Sequence, residues 1–269
     1  MKKAVSRVYM TLIFVFLYAP ILLLVVFSFN DTDTKSRTVW SGFSLRWYEM
    51  LFQDRMLLEA LRNTLIIAVC AAVGATILGT VAALGIHSMK SWRKKLVMNI
   101  TNLPMLNPEI VTGVSLMLLM VFVANLFGVT LGIVSIILAH ITFCLPYVIL
   151  SVLPKLGQMD PHLFEAAQDL GCTPVRSFFK VVLPEIMSGV ITGMVMAFTL
   201  SLDDFIISYF CSGTTQTLPV FIYSMTKKRV SPEINALSTL LFAVILILLL
   251  IINIRQGRMG KKAKKEADV

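Results

Sequence analysis

The sequence has 269 residues, 57% of them hydrophobic and 14% charged, with 24 Lys and Arg against 15 Asp and Glu for a net charge of +9. A soluble domain carries about 25% charged residues, so a water-soluble globule is excluded; a disordered chain, which needs low hydrophobicity, is excluded more firmly. A mean hydropathy of +0.82 leaves a polytopic membrane protein, in which excess positive charge speaks of topology before it speaks of nucleic acid.

A membrane-crossing helix needs about 20 apolar residues. Residues 8–30 carry no charge and give the first span. The run is too long for the apolar core of a signal peptide and no small-residue cleavage site follows, so it reads as an uncleaved helix. Phe43, Trp47, Met50, Leu51, Leu58 and Leu61 then recur near helical spacing among charged residues. That pattern predicts a helix over 43–63 lying along the outer membrane surface. Trp47 there serves either as an interfacial anchor or as an aromatic face for an ammonium group.

Residues 63–88 give the second span, and 96–124 the third, interrupted by Pro104, Pro108 and Glu109. The 45 uncharged positions from Ile110 to Pro154 exceed one crossing. Gly128 and Gly132 bracket the turn, which places the fourth span at 131–153. The fifth, 186–207, runs into Asp203 and Asp204, and the sixth covers 234–254. Gly189 and Gly193 in the fifth form a small-residue pair suited to close helix packing, including packing against a second membrane subunit. The expected fold class is all-α: an integral membrane protein with six transmembrane helices in one domain, 1–269.

With the N-terminus inside, the inner segments hold 16 Lys and Arg and the outer segments 8. The inside then carries a net +10 and each outer segment balances to zero, which puts both termini in the cytoplasm. Lys261, Lys262, Lys264 and Lys265 read as an anchor beside anionic lipid rather than a nucleic-acid patch. Cys70, Cys144, Cys172 and Cys211 share no metal-ligand or disulfide spacing and read as apolar fillers. GATILGT at 74–80 has the glycines of a phosphate-binding loop without its lysine, so this route to ATP is closed. Neither a catalytic triad nor a metal constellation is visible, and no cofactor is expected.

Ionisable residues inside a span cost roughly 3 kcal/mol on insertion scales and mark function by default. Glu109, Asp203 and Asp204 are such residues, with Ser201 as a polar neighbour, and no Lys or Arg in the apolar part of any span neutralises them. A transported polycation could do so. Two plainer readings stand beside that one. Asn107-Pro108-Glu109 has the look of a helix start, where an acid suits the dipole, and the two aspartates could mark the wet end of the fifth helix. His140 reads as a buried, hydrogen-bonded imidazole before a proton relay.

The segment 160–184, DPHLFEAAQDLGCTPVRSFFKVVLP, does not read as a loop. Asp160 and Pro161 are a helix start, Gly171 is a stop, and Thr173–Pro174 is a second start. Two short helices there would form a knob whose Phe164, Ala166 and Ala167 face outward to dock into a groove on another protein.

Glu165-Ala166-Ala167, Gly171 six positions after the glutamate, and Leu183-Pro184 resemble the EAA loop of the inner-membrane permeases of ABC importers. NPEIVTG (107–113), HITFCLPYV (140–148), FTLSLDDF (198–205) and SPEINAL (231–237) are similar to segments of the spermidine/putrescine permeases within that family. The resemblance implies a type I importer permease in a bacterial cytoplasmic membrane. It implies that Glu165 and Gly171 set the charge and turn of a coupling helix seated in an ATPase. The implied partners are two copies of a cytoplasmic ABC ATPase, a second permease subunit and an extracytoplasmic polyamine-binding protein. The chain itself would be no enzyme, since the partner ATPase hydrolyses the ATP. Rival expectations are import of another solute, such as an iron complex or thiamine, and a proton-coupled carrier using Glu109 and His140.

Overall fold

Helices apolar on all sides must face either lipid or one another, and small residues decide where they meet. The computed structural model describes residues 2–31, 40–128, 130–160, 162–228, 233–244, 246, 247 and 250. Among these, five helical stretches are long and apolar enough to cross a membrane. They are α1 (Lys2–Phe27), α3 (Arg55–His87), α5 (Glu109–Phe127), α6 (Ile133–Gln158) and a run over Pro174–Asp203 that ends as α9 (Leu183–Asp203). Shorter helices are α2 (Arg46–Gln53), α4 (Ser91–Leu106), α7 (His162–Asp169), α8 (Pro174–Ser177), α10 (Ile206–Cys211) and α11 (Leu218–Lys228). A further apolar helix, Glu233–Val244, covers the start of the sixth expected span. The rest of that span is only partly described, and the lysine run at 261–265 lies outside the described residues.

The chain divides into two compact units, 1–58 with 222–269 and 59–221. In the first, the surface helix expected over 43–63 is two elements. Asp54 breaks it in an extended conformation, and its Oδ1 accepts from the Met56 and Leu57 N–H groups at 2.9 and 3.3 Å, which starts α3. Trp47 on α2 is buried, and its indole N–H donates to the Asn30 carbonyl at 2.9 Å. Tyr48 meets Ser28 at 2.7 Å and packs against Phe29 with the two rings tilted.

In the second unit, the third expected span is also two helices. Pro108 lacks the N–H that would continue α4, and Asn107 and Pro108 are extended, so α5 begins afresh at Glu109. Gly128, in left-handed conformation at φ 66°, ends α5. The Gly132 N–H donates to the Ser135 hydroxyl at 2.8 Å at the start of α6. The core here joins Ala72, Ala75 and Ala83 of α3, Cys144, Val148 and Val152 of α6, and Ile186 and Ala197 of α9. Glycines set the spacing. A Cβ at Gly189 would lie 2.7 Å from the Ser151 carbonyl oxygen, and one at Gly193 would lie 3.2 Å from Val148 Cα. Both therefore bring α9 against α6 of the same chain, which gives the Gly189–Gly193 pair an intramolecular role.

Candidate functional site

Two helix breaks in the second unit lie close together. At the first, Glu109 occupies the first turn of α5 and is exposed. At the second, α9 ends at Asp203, Asp204 is extended, and α10 begins at Ile206. The elements are pinned by Gly113, one helical turn past Glu109, where a Cβ would approach Ile206 Cγ2 to 2.9 Å and the Phe210 ring to 3.1 Å. A larger residue would push α5 off α10. Glu109, Asp203 and Asp204 are thereby brought within electrostatic range of one another, and Tyr147 of α6 within range of Glu109.

The three acids are not equivalent. Asp203 and Glu109 are both exposed. The Asp204 side chain is only 8% exposed and is committed to hydrogen bonds: Oδ2 accepts from the Ser208 N–H at 2.8 Å and Oδ1 from the Ile207 N–H at 3.4 Å. Its Oδ2 also lies 3.3 Å from His140 Nε2. The imidazole, 1% exposed, has its Nδ1 at 2.6 Å from Ser201 Oγ and its Nε2 at 3.3 Å from Ser208 Oγ. The expectation of a buried, hydrogen-bonded His140 is met. Ser201 is buried in that cluster. Ser208 escaped the sequence reading; the one available signal was its place four residues after Asp204, the offset of a carboxylate that caps a following turn.

Trp47 belongs to the other compact unit. Its ring is buried, its N–H is used by Asn30, and the Arg46 guanidinium stands 5.7 Å from the ring centroid. Trp47 thus acts as an internal staple between α2 and the end of α1.

The segment 160–184 has a shape the sequence half anticipates. Asp160 Oδ1 accepts from the His162 N–H at 2.9 Å and opens α7, although residue 161 lies outside the described residues. Gly171 closes it at φ 85°. The Gly171 N–H donates to the Gln168 carbonyl at 2.8 Å and the Cys172 N–H to the Ala167 carbonyl at 3.1 Å, the paired bonds of a Schellman turn. No neighbouring atom lies within 4 Å of a Cβ placed at Gly171, so conformation and not space demands glycine there. Thr173 caps the next helix through the Arg176 N–H at 3.4 Å.

Three expectations about this segment change. The second short helix does not stop at Leu183–Pro184. It widens into a π turn over Phe178–Val182 and continues into α9, so Pro184, which lacks an N–H, is absorbed without a break. Ala167 is buried, and Phe164, Phe178 and Leu183 pack on the core between α6 and α9. The outward face consists instead of Glu165, Ala166, Leu170, Val175 and Phe179. The knob thus has one face packed on the core between α6 and α9 and one face exposed.

Residues 75–265 match the model of a family described as binding-protein-dependent transport system inner membrane components. The putrescine transport system permease protein PotI of Escherichia coli strain K12 is 44% identical over 237 residues, covering 86% of this chain and 83% of that protein. The spermidine/putrescine transport system permease protein PotC of the same strain is 38% identical over 243 residues, 90% of each chain. Among solved structures, a chain from a bacterial ABC transporter involved in the import of the acidic polysaccharide alginate superposes with a TM-score of 0.73 over 95% of both chains. Its identity is 18%, so that likeness speaks for the fold alone.

Proposed function

The chain belongs to the binding-protein-dependent transport system inner membrane components, and from that premise we propose that it conducts polyamines into the cytoplasm as one permease subunit of an ATP-driven importer. The observation that carries the substrate is the pairing of exposed Asp203 with exposed Glu109 at adjoining helix breaks. Neither 96–154 nor 181–226 contains a Lys or Arg to neutralise them. A slender polycation supplies the missing charge at several points along its length. The 44% identity to a putrescine permease points the same way. A broken helix lining a cavity is also the usual means of presenting polar groups at membrane depth.

Energy comes from outside the chain. In this reading two copies of a cytoplasmic ABC ATPase close on ATP and press on the free face of the coupling segment at Glu165, Ala166 and Leu170. The Schellman turn at Gly171 keeps α7 rigid, and Phe164, Phe178 and Leu183 pass the displacement to α6 and α9. Pro184 marks where lever becomes span. A second permease subunit completes the route, a polyamine-binding protein delivers the cation from outside, and both termini lie in the cytoplasm. Binding along the route is weak, because a deep site would trap the cation.

The experiment is uptake of labelled putrescine and spermidine by proteoliposomes holding the assembled complex, with ATP inside and binding protein outside. Polyamine uptake that unlabelled polyamine suppresses and neutral or anionic solutes do not is the expected result. Uptake of a thiamine or iron-complex substrate in its place would overturn the substrate class and leave the family membership standing.

A further inference from the structure

Adjacent in sequence, Asp203 and Asp204 occupy opposite surroundings. Asp203 ends α9 and is exposed. Asp204 follows in an extended conformation, φ −63° and ψ 121°, and its carboxylate is buried. There it accepts from the Ser208 and Ile207 N–H groups of α10 and meets His140 of α6, whose other nitrogen meets Ser201 of α9. A neutral imidazole satisfies this arrangement: Nε2–H donates to the carboxylate, and Nδ1 accepts from the Ser201 hydroxyl. A carboxylate used in this way has little left to offer a passing cation. Swinging it outward would strand backbone N–H groups and an imidazole in a medium of low dielectric.

The network ties α6, α9 and α10 together at the break. It therefore fixes the angle between α9 and α10, and with it the direction in which the last residue of α9 points. We propose that Asp204, His140, Ser201 and Ser208 form a buried latch that holds Asp203 toward open space beside Glu109, which makes Asp204 a positioning residue and not a cation ligand. The proposal rests on the reading of Asp203 and Glu109 as the carboxylates of the route. It divides the acidic pair into one residue that acts by charge and one that acts by hydrogen bonding.

The test reads the orientation of position 203 directly. In the assembled transporter, Cys70→Ser and Cys172→Ser remove the two cysteines that are not buried, and Asp203→Cys supplies a reporter. The rate at which a cationic methanethiosulfonate modifies that reporter is compared with Asp204 intact, with Asp204→Asn and with Asp204→Ala. The Asn side chain keeps an acceptor for the Ser208 N–H, so the rate is expected to stay within about twofold; Ala has none, and a change of about tenfold or more is expected. His140→Ala, which spares the cap and cuts the tie to α6, is expected to shift the rate likewise and serves if Asp204→Ala does not assemble. In parallel, with Asp203 present, Asp204→Asn keeps more than half of the uptake whereas Asp203→Asn loses most of it. Unchanged modification in both Asp204→Ala and His140→Ala overturns the latch. So does an Asp204→Asn complex that loses uptake as fully as Asp203→Asn while its reporter is unmoved. A wrong substrate assignment shows separately, as absent polyamine uptake by the unaltered complex, and leaves the modification pattern intact.

Discussion

Replacing Gly171 with alanine isolates what the coupling segment needs from its turn. The residue sits at φ 85°, where an L-amino acid is disfavoured by about 1–2 kcal/mol. A Cβ there meets no atom within 4 Å, so the whole penalty is conformational. A penalty of that size shifts the ratio of closed to opened turn by about 5- to 30-fold. The Gly171→Ala complex should therefore keep its assembly and lose binding-protein-stimulated ATPase activity and uptake together, by a factor in that range. Gly171→Leu should be no worse than Ala, because the penalty lies in the backbone conformation that any Cβ disfavours. Gly171→Asn should recover part of the activity, since asparagine tolerates the left-handed region. The assay is stimulated ATP hydrolysis alongside uptake in proteoliposomes. A defect that grows with side-chain size, Ala harmless and Leu severe, would refute the reasoning and point to steric fit against the partner instead.

Other expectations follow from the same geometry. Gly189→Ala drives a Cβ to 2.7 Å from the Ser151 carbonyl oxygen, so it should destabilise the purified protein by about 1–3 kcal/mol and lower its Tm. Gly157→Ala, in α6 with no atom within 4 Å of the new Cβ, should leave Tm unchanged or raise it. Trp47→Phe removes the donor to the buried Asn30 carbonyl; it should cost about 1–3 kcal/mol in thermal unfolding while uptake by the assembled complex stays near normal. Glu109→Gln should lower polyamine uptake roughly tenfold, the equivalent of about 1.4 kcal/mol, without loss of the ATPase from the purified complex.

The local signals were legible. Asp160, Gly171, Thr173 and Gly128 announce helix ends through capping chemistry that acts within a few residues, and each is found capping. Asn107-Pro108-Glu109 likewise declares a break, because proline cannot donate to the preceding turn. What stayed hidden depends on contacts between distant residues. No spacing reveals that Ser201 and Ser208 converge on His140 over separations of 61 and 68 residues, or that Asp203 and Asp204 face apart. The outward placing of Ala167 failed for the same reason. Helical periodicity gives a face but not which neighbour covers it, and here α7 turns that residue inward. Pro184 misled because a proline usually ends a helix, whereas a π turn upstream lets this one pass.

The central claim is that nucleotide hydrolysis by partner subunits, delivered through the coupling segment, drives polyamine cations past this chain. Its most direct measurement compares labelled putrescine accumulation in two sets of proteoliposomes. One holds the complete complex with internal ATP and external binding protein, and the other holds this polypeptide alone under a proton or sodium gradient. Accumulation in the first that stops when ATP is omitted, with none in the second, is the predicted result. Accumulation by the polypeptide alone on an ion gradient would contradict the account.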